Sequence, residues 1–168
     1  MISTFRPSKN FDIIKKIVPL LEQDQFKYEF HITIKQEDYD KHFKGFEKSI
    51  INHGHVKSIE CPDLYNQCDA MFLPSHLECF SASYPEAMKM EKPILTSDLS
   101  FAHTVCGEAA IYFENTNAND VADKIKELFH NKDLYNQKVD LGKQKLNDFD
   151  NSRQQAEKYL KICKEISK

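Results

Sequence analysis

The sequence lacks several features that would define a class of protein at once. Tryptophan is absent, and the 168 residues contain only 4 Gly and 6 Pro, which excludes collagen-like and Pro/Gly-rich disordered chains. Apolar runs such as residues 70–73 are too short to form a membrane-spanning helix. The amino terminus lacks the charged and then apolar segments of a signal peptide. We predict a globular cytoplasmic protein, with the cytoplasmic face of a membrane as the alternative for a longer form.

Charge and cysteine content exclude further classes. The net charge is -3, so no basic surface indicates binding to nucleic acid. The 5 cysteines are an odd number without a C-x-x-C pair, which argues against a zinc site or a disulfide framework. Two histidines, His53 and His55, lie near Cys61, but isolated histidines are more often structural than ligating. We therefore predict reduced cysteines and no bound metal.

Apolar segments alternate with amphipathic segments along the whole chain. Strands are predicted at residues 2–5, 26–34, 50–53, 70–73, 93–96 and 109–113. Helices are predicted at residues 10–22, 36–46, 62–66, 84–89, 119–130, 133–147 and 152–166, the first kinked or ended early by Pro19. This alternation predicts an α/β fold in a single domain over residues 1–168, with a parallel sheet covered on both faces. Ligands of such sheets bind at the carboxyl ends of the strands.

One loop, residues 74–88, combines features that suit a phosphate-containing ligand. Small residues at positions 81–83 precede a helix, whose first N–H groups can meet a phosphate. Glu78 and Glu86 flank these residues and suit the hydroxyl groups of a sugar and a ribose. Serine-rich loops and acidic first turns are also ordinary helix caps. The residues alone leave both interpretations open.

The same segment resembles the donor-binding motif of the retaining GT-B glycosyltransferases of family four. The matching features are Pro-Ser after a strand, a Glu, seven residues, a second Glu in Glu-Ala-Met, and then Pro with an apolar strand, here residues 74–96. Residues 54–56, 64–65, 69 and 107–113 match in the same order. The resemblance covers roughly Arg6 to Leu160. It implies a Rossmann-like three-layer α/β/α fold, the C-terminal half of such an enzyme.

The resemblance also implies a role for each matching residue. Glu78 would hold hydroxyls of the donor sugar, and Glu86 would hold the ribose hydroxyls. The diphosphate would contact the cationic side chains of Arg6 and Lys9. It would also accept hydrogen bonds from the backbone N–H groups of Phe80, Ser81 and Ala82. Glu78, Arg6 and Lys9 would be the catalytic residues. Two cations and a helix end can carry the charge of the leaving nucleotide without a metal.

Two features depart from the family pattern. The family usually has Gly-Phe-Gly after the first Glu, whereas this chain has Cys79-Phe80-Ser81, and losing both glycines restricts the backbone. The segment from Arg6 to Lys9 is shorter than is common. Downstream, His103 is either a surface residue or a contact to the sugar. A noncatalytic nucleotide-sugar-binding module is therefore the alternative, with an epimerase a more distant one.

The expected ligand is a nucleoside diphosphate sugar, a UDP- or GDP-sugar, and no cofactor is implied. The enzyme would be a retaining hexosyl-type transferase acting on a glycan or lipid acceptor, as in polysaccharide biosynthesis. GT-B enzymes bind the acceptor with a second, N-terminal domain. We expect that domain to be absent from this chain, which would then be inactive in transfer as an isolated domain.

Overall fold

A computed structural model of the chain describes residues 1–166. The strands are β1 Phe30–Ile32, β2 Ile50–Asn52, β3 Met71–Leu73, β4 Ile94–Ser97 and β5 Ala110–Phe113. The α-helices are α1 Ile13–Gln23, α2 Gln36–His42, α3 Cys61–Asn66, α4 Ser83–Lys89, α5 Ser100–Cys106, α6 Ala118–His130, α7 Lys132–Lys145 and α8 Ser152–Ile166. Short 3₁₀ turns are formed by Pro7–Lys9, Ser58–Glu60, Gly107–Ala109 and Leu146–Asp148.

The strands form two parallel sheets. One has the order β1-β2, and the other has the order β3-β4-β5. In the second sheet Leu73 is opposite Thr96, and Ser97 is opposite Phe113. The α/β class with parallel strands is therefore confirmed. The carboxyl ends of β3, β4 and β5 lie at one edge, which is where a parallel sheet places its ligand.

The strand predicted at residues 2–5 does not form. The segment lies beside β1, where the N–H of Ser3 donates to the hydroxyl oxygen of Thr33 at 3.0 Å. Because this bond goes to a side chain, it does not contribute to a backbone ladder between the two segments. The sequence pattern that predicted this strand reports which residues are apolar, but not which backbone groups pair.

Helices cover both faces of the sheet of β3, β4 and β5. On one face, Phe72, Leu95 and Ile111 pack into a buried cluster with the apolar residues of α1 and α6. On the other face, neighbouring strand residues such as Met71 and Ile94 pack with the apolar residues of α4 and α5. Successive residues of a strand point to opposite faces, so each strand contributes to both cores. The predicted three-layer arrangement is confirmed.

Helix α1 differs from its predicted bounds at both ends. It begins at Ile13 rather than at Asn10, since Asn10 has φ 52° and a left-handed backbone that a right-handed helix cannot include. Pro19 does not end it early, and the helix continues to Gln23. The missing N–H of Pro19 costs one backbone hydrogen bond. Burial of five apolar residues offsets that loss at about 1.5–3 kcal/mol each, namely Ile13, Ile14, Ile17, Val18 and Leu21.

The carboxyl-terminal helices become more exposed along the chain. The side chain of Asn117 caps α6 by accepting from the N–H groups of Asn119 and Asp120. Helix α8 has the predicted bounds, and all of its residues are exposed. None of the helices within residues 1–166 is both long enough and apolar enough to cross a membrane.

Candidate functional site

Polar side chains gather at the carboxyl edge of the sheet of β3, β4 and β5. Ser75 follows β3, Ser97 ends β4, and Asn115 follows β5; all three are at most 8% exposed. The hydroxyl of Ser97 donates to the carbonyl of Ser75 at 2.7 Å. The 3₁₀ turn Pro7–Lys9 lies against the same loops, and the N–H of His76 donates to the carbonyl of Ser8 at 2.7 Å. Four segments that are distant in sequence thus meet at one edge.

Lys9 and Glu78 form an ion pair within this edge. The ammonium of Lys9 donates to one carboxylate oxygen of Glu78 at 2.5 Å, and the hydroxyl of Ser75 donates to the same oxygen at 2.7 Å. The two charged side chains are only 18% and 8% exposed. Low exposure weakens solvent screening, so the attraction between the two charges is stronger than in a surface salt bridge. The structure therefore brings together two of the three residues predicted to be catalytic.

Glu86 occupies a more open position in the first turn of α4. Its carboxylate accepts a hydrogen bond of 3.2 Å from the hydroxyl of Tyr65, which also reaches the carbonyl of Ser83 at 3.4 Å. Burial, followed by the negative charge of Glu86, raises the pKa of Tyr65 above its ordinary value. The hydroxyl is therefore protonated at neutral pH and remains a hydrogen-bond donor to Glu86. Glu86 itself is exposed and available to a ligand.

The backbone between the two glutamates presents unused donors. Within residues 1–166, the N–H groups of Phe80, Ser81 and Ala82 have no acceptor in the protein, and no side chain caps α4. Ser81 is 7% exposed, whereas the side chain of Phe80 projects into solvent. Free N–H groups at the start of a helix can bind the oxygens of an anion. The contact of these three N–H groups with a diphosphate stays a prediction.

The two missing glycines cause no backbone strain. Among described residues other than glycine, positive φ angles occur at Asn10, Gln25 and Glu91 only. Cys79 and Ser81 therefore have backbone angles that residues with a side chain adopt readily. The departure from Gly-Phe-Gly changes the side chains near the site but does not require an unusual conformation there.

Arg6 is not brought to either glutamate. It is exposed, and its guanidinium forms no ion pair or hydrogen bond with any residue of the described chain. Its carbonyl accepts from the N–H of Lys9 at 3.0 Å, which fixes the backbone of the turn. Arg6 thus lies three positions before the paired Lys9, while its own charge remains unpaired within the described residues.

His103 has a protein partner at the same edge of the sheet. Its ring nitrogen lies 2.6 Å from a carboxylate oxygen of Asp98, and its ring stacks on Tyr112 with 3.8 Å between centroids. These contacts orient the ring on the surface beside β4 and β5. They support the interpretation of His103 as a surface residue and leave its contact to a sugar a prediction.

Two residues of the site received no role from the sequence, although both lie in matched segments. Ser75 directs its hydroxyl to Glu78, and Tyr65 directs its hydroxyl to Glu86. A Ser three residues before an acidic residue is a weak signal, and a Tyr on a different helix is none. Only the folded chain reveals that each glutamate has a neutral hydroxyl donor.

The described residues offer no metal-binding cluster of three or more His, Cys, Asp and Glu side chains. A ring nitrogen of His53 lies 2.9 Å from a ring nitrogen of His31. Burial, followed by the neighbouring His31, lowers the pKa of His53. The neutral form of His53, whose ring stacks on that of His31, is therefore favoured at this position.

A cavity of about 880 Å³ lies away from this edge. Its lining includes Phe30 and His31 at the start of β1 and Ala70 just before β3. It contains none of the residues predicted for the site. Amino ends of strands are not where parallel sheets place their ligands, so we assign the candidate site to the carboxyl edge.

Comparison with solved structures shows the fold class of the chain. The fold matches the sucrose-phosphate synthase of Thermosynechococcus elongatus with a TM-score of 0.81 at 12% identity, over 98% of this chain and 45% of that one. It matches a glycosyltransferase of Rickettsia africae with a TM-score of 0.81 at 18% identity, over 99% and 48% of the two chains. It also matches a TarM variant of S. aureus, with a TM-score of 0.80 at 22% identity, over 96% and 34%. At these low identities the TM-scores show a shared fold alone, that of the Rossmann-like domains of GT-B glycosyltransferases.

The sequence itself gives the family. The profile of the family described as "Glycosyl transferases group 1" matches residues 1–131, and the chain belongs to that family. The resemblance identified from the motif is thereby confirmed. A search of curated protein sequences gave no match. The chain spans less than half the length of each of these three solved structures.

Proposed function

We propose that this chain binds a nucleoside diphosphate sugar and supplies the donor half of a retaining glycosyl transfer. The observation that carries the proposal is the Lys9–Glu78 pair beside the unused N–H groups of residues 80–82, in a chain of the group 1 glycosyltransferase family. An anionic diphosphate needs cations and N–H donors, and a sugar needs carboxylates that accept from hydroxyls. Both kinds of group lie at the carboxyl edge of the sheet.

Each residue has a distinct part in the proposal. Lys9 and Arg6 neutralise the diphosphate as it leaves, assisted by the N–H groups of residues 80–82. This stabilises the charge that develops in the transition state and uses no metal. Glu86 accepts from the ribose hydroxyls, and Glu78 accepts from the hydroxyls of the sugar. Holding both ends of the donor fixes the reacting carbon in place.

In this proposal Lys9 changes partners when the donor binds. Without ligand, the carboxylate of Glu78 accepts from both Lys9 and Ser75. A diphosphate carries more negative charge than a carboxylate and competes for the ammonium of Lys9. Loss of Lys9 leaves the carboxylate of Glu78 free to accept from sugar hydroxyls. Binding of the diphosphate would therefore prepare the sugar site.

The acceptor is proposed to bind elsewhere. The chain spans 34% to 48% of the length of the solved structures described above, so it corresponds to one part of those proteins. We propose that a second α/β domain brings a glycan or lipid acceptor and completes the reaction. The TarM variant was solved with UDP, Fondaparinux and alpha-GlcNAc-glycerol, which makes UDP the first nucleotide to test here.

Thermal unfolding of the purified chain with UDP, GDP, ADP and CMP tests the proposal. A nucleotide present at about 100 times its Kd stabilises the fold by about 2.7 kcal/mol, which is a readily measured shift in Tm. We expect one diphosphate to raise Tm in the unsubstituted chain and to lose that effect in Arg6→Ala. The matched control is Arg153→Ala, since Arg153 is an exposed arginine of α8 that pairs with Glu157 and lies outside the candidate site. An equal loss in both variants would refute a specific role for Arg6.

Donor turnover separates the two candidate functions. A noncatalytic module would give the same Tm shift but would neither hydrolyse a bound UDP- or GDP-sugar nor transfer its sugar when a second domain is present. An enzyme would release the nucleoside diphosphate with retention at the anomeric carbon. No Tm shift with any nucleotide would contradict both functions for this chain.

A further inference from the structure

Asn115 lies where three loops of the candidate site meet. It is 8% exposed and follows β5, and its side-chain amide donates to the carbonyl of Ser75 at 3.0 Å. Its own backbone carbonyl accepts from the side-chain amide of Asn10 at 2.7 Å. Ser75 is the residue whose hydroxyl holds Glu78, and Asn10 directly follows Lys9. Asn115 is therefore hydrogen-bonded to Ser75, which contacts Glu78, and to Asn10, which is next to Lys9. It forms no hydrogen bond with either member of the ion pair within the described residues.

Other bonds join the same two loops. The side-chain amide of Asn115 also lies 3.2 Å from a ring nitrogen of His76, and the N–H of His76 donates to the carbonyl of Ser8 at 2.7 Å. The carbonyl of Ser75 additionally accepts from Ser97. The two contacts of the amide nitrogen favour one orientation of the Asn115 side chain, because another orientation would leave a buried donor unpaired. The network thus fixes the turn that carries Lys9 relative to the loop that carries Glu78.

We propose that Asn115 is a positioning residue that sets the placement of Lys9 relative to Glu78. It acts through Ser75 on one side and through Asn10 on the other. A charged pair loses coupling when its members are held less firmly, since energy falls with distance and with entry of water. The role in donor binding rests on the function proposed above, whereas the effect on the ion pair can be measured without a nucleotide.

Double-mutant cycles test this role directly. The unfolding constants of Lys9→Met, Glu78→Gln and the double variant are measured in urea, and their coupling is compared in two backgrounds. In the unsubstituted chain we expect the pair to change the unfolding constant by about tenfold. In the Asn115→Ala background we expect this coupling to fall to about twofold or less. An unchanged coupling would overturn the proposal, even if Asn115→Ala lowers overall stability.

Asn117→Ala is the matched control. Asn117 is also an asparagine after β5, and it caps α6 without contacting the loops of Lys9 or Glu78. Losing a helix cap lowers stability to a degree similar to losing a buried hydrogen bond. We expect the coupling of Lys9 and Glu78 to stay near its original value in Asn117→Ala. A loss of coupling equal to that in Asn115→Ala would indicate general loosening and would overturn the specific role.

A second variant removes the hydrogen bond between Asn10 and Asn115, and it tests the proposal if Asn115→Ala fails to fold. Asn10→Gly removes the amide that donates to Asn115, and glycine accommodates the φ of 52° found at this position. We expect it to reduce the same coupling, and full coupling in Asn10→Gly would count against the proposal.

Titration of each variant with UDP completes the test. Weaker UDP binding in Asn115→Ala than in Asn117→Ala would link the positioning role to the donor site. If UDP does not bind the unsubstituted chain, the proposed function fails for this nucleotide while the result of the cycles stands by itself. Equal UDP affinity in both variants, with binding intact, would overturn the link to donor binding.

Discussion

Glu78 and Glu86 are separated by seven residues in the chain, but the fold gives their carboxylates different surroundings. Glu78 is nearly buried, and its oxygen accepts from both an ammonium and a hydroxyl. Glu86 is exposed and accepts a single hydrogen bond from Tyr65. The first carboxylate is thus part of the folded structure as well as a candidate ligand contact, whereas the second is primarily available to a ligand. Substitutions at the two positions should therefore change different properties.

The largest effect is expected from Lys9→Met. This change leaves a nearly buried carboxylate with Ser75 as its remaining donor, and an uncompensated charge of this kind is strongly destabilising. We expect the free energy of unfolding to fall by about 2–3 kcal/mol, measured by urea denaturation. Adding Glu78→Gln should recover part of the loss, because the neutral amide needs no counter-ion. A loss below about 0.5 kcal/mol would show that the pair behaves as a surface salt bridge.

Glu86→Ala should instead weaken nucleotide binding and spare the fold. Removing charge-assisted hydrogen bonds to the ribose should cost about 1–3 kcal/mol of binding free energy, measured by isothermal titration. Stability should change by less than about 0.5 kcal/mol, as for other exposed positions. Glu108→Ala, at an exposed carboxylate outside the site, provides the control. Unchanged nucleotide affinity in Glu86→Ala would remove this residue from the site.

Glu78→Ala should discriminate between a nucleotide and its sugar-bearing form. We expect affinity for the free diphosphate to be spared, since Lys9 remains present and loses its competing carboxylate. Affinity for the nucleoside diphosphate sugar should fall relative to the free diphosphate by about 1–2 kcal/mol, from lost hydrogen bonds to the sugar. Competition binding with both ligands measures the difference. An equal change for both ligands would contradict the division of roles between Glu78 and Glu86.

The smallest effect is expected from Tyr65→Phe. The substitution removes the donor to Glu86 and keeps the buried ring, so stability should fall by about 0.5–1 kcal/mol. If Tyr65 orients Glu86, nucleotide affinity should fall by less than in Glu86→Ala. The double variant should then bind no more weakly than Glu86→Ala alone. A further loss in the double variant would show that Tyr65 acts on the ligand independently of Glu86.

The predicted elements were most accurate where burial is complete. The strands β3, β4 and β5 lie within one residue of their predicted positions, because their apolar residues are buried on both faces. The long strand predicted at residues 26–34 is reduced to Phe30–Ile32, although its alternating burial is present from Phe26 to Ile34. Alternation reports which side of a segment faces the core, but backbone pairing depends on a neighbour that the pattern does not specify.

In the candidate site, too, the residues of the motif were predicted from the sequence, but most of their contacts were not. Lys9 and Glu78 were each predicted from the motif, and the fold brings them within hydrogen-bond distance across 69 positions of the chain. Arg6 was predicted from the same resemblance, yet within the described residues its charge remains unpaired. Asn115 was not predicted, because an asparagine after a strand has no distinguishing pattern. Its partners come from loops that the sheet brings together.

The sequence by itself determined the alternating α/β class, the family, and the segment that carries both glutamates. These follow from local periodicity and from the spacing of residues in one short stretch. Tertiary structure alone decided which side chains meet: that Lys9 pairs with Glu78, that Tyr65 supports Glu86, and that Asn115 joins the loops. The physical reason is that parallel strands bring the loops at their carboxyl ends to one edge, whatever their separation in sequence. Contacts across that edge depend on distances of a few ångströms, which no spacing along the chain specifies.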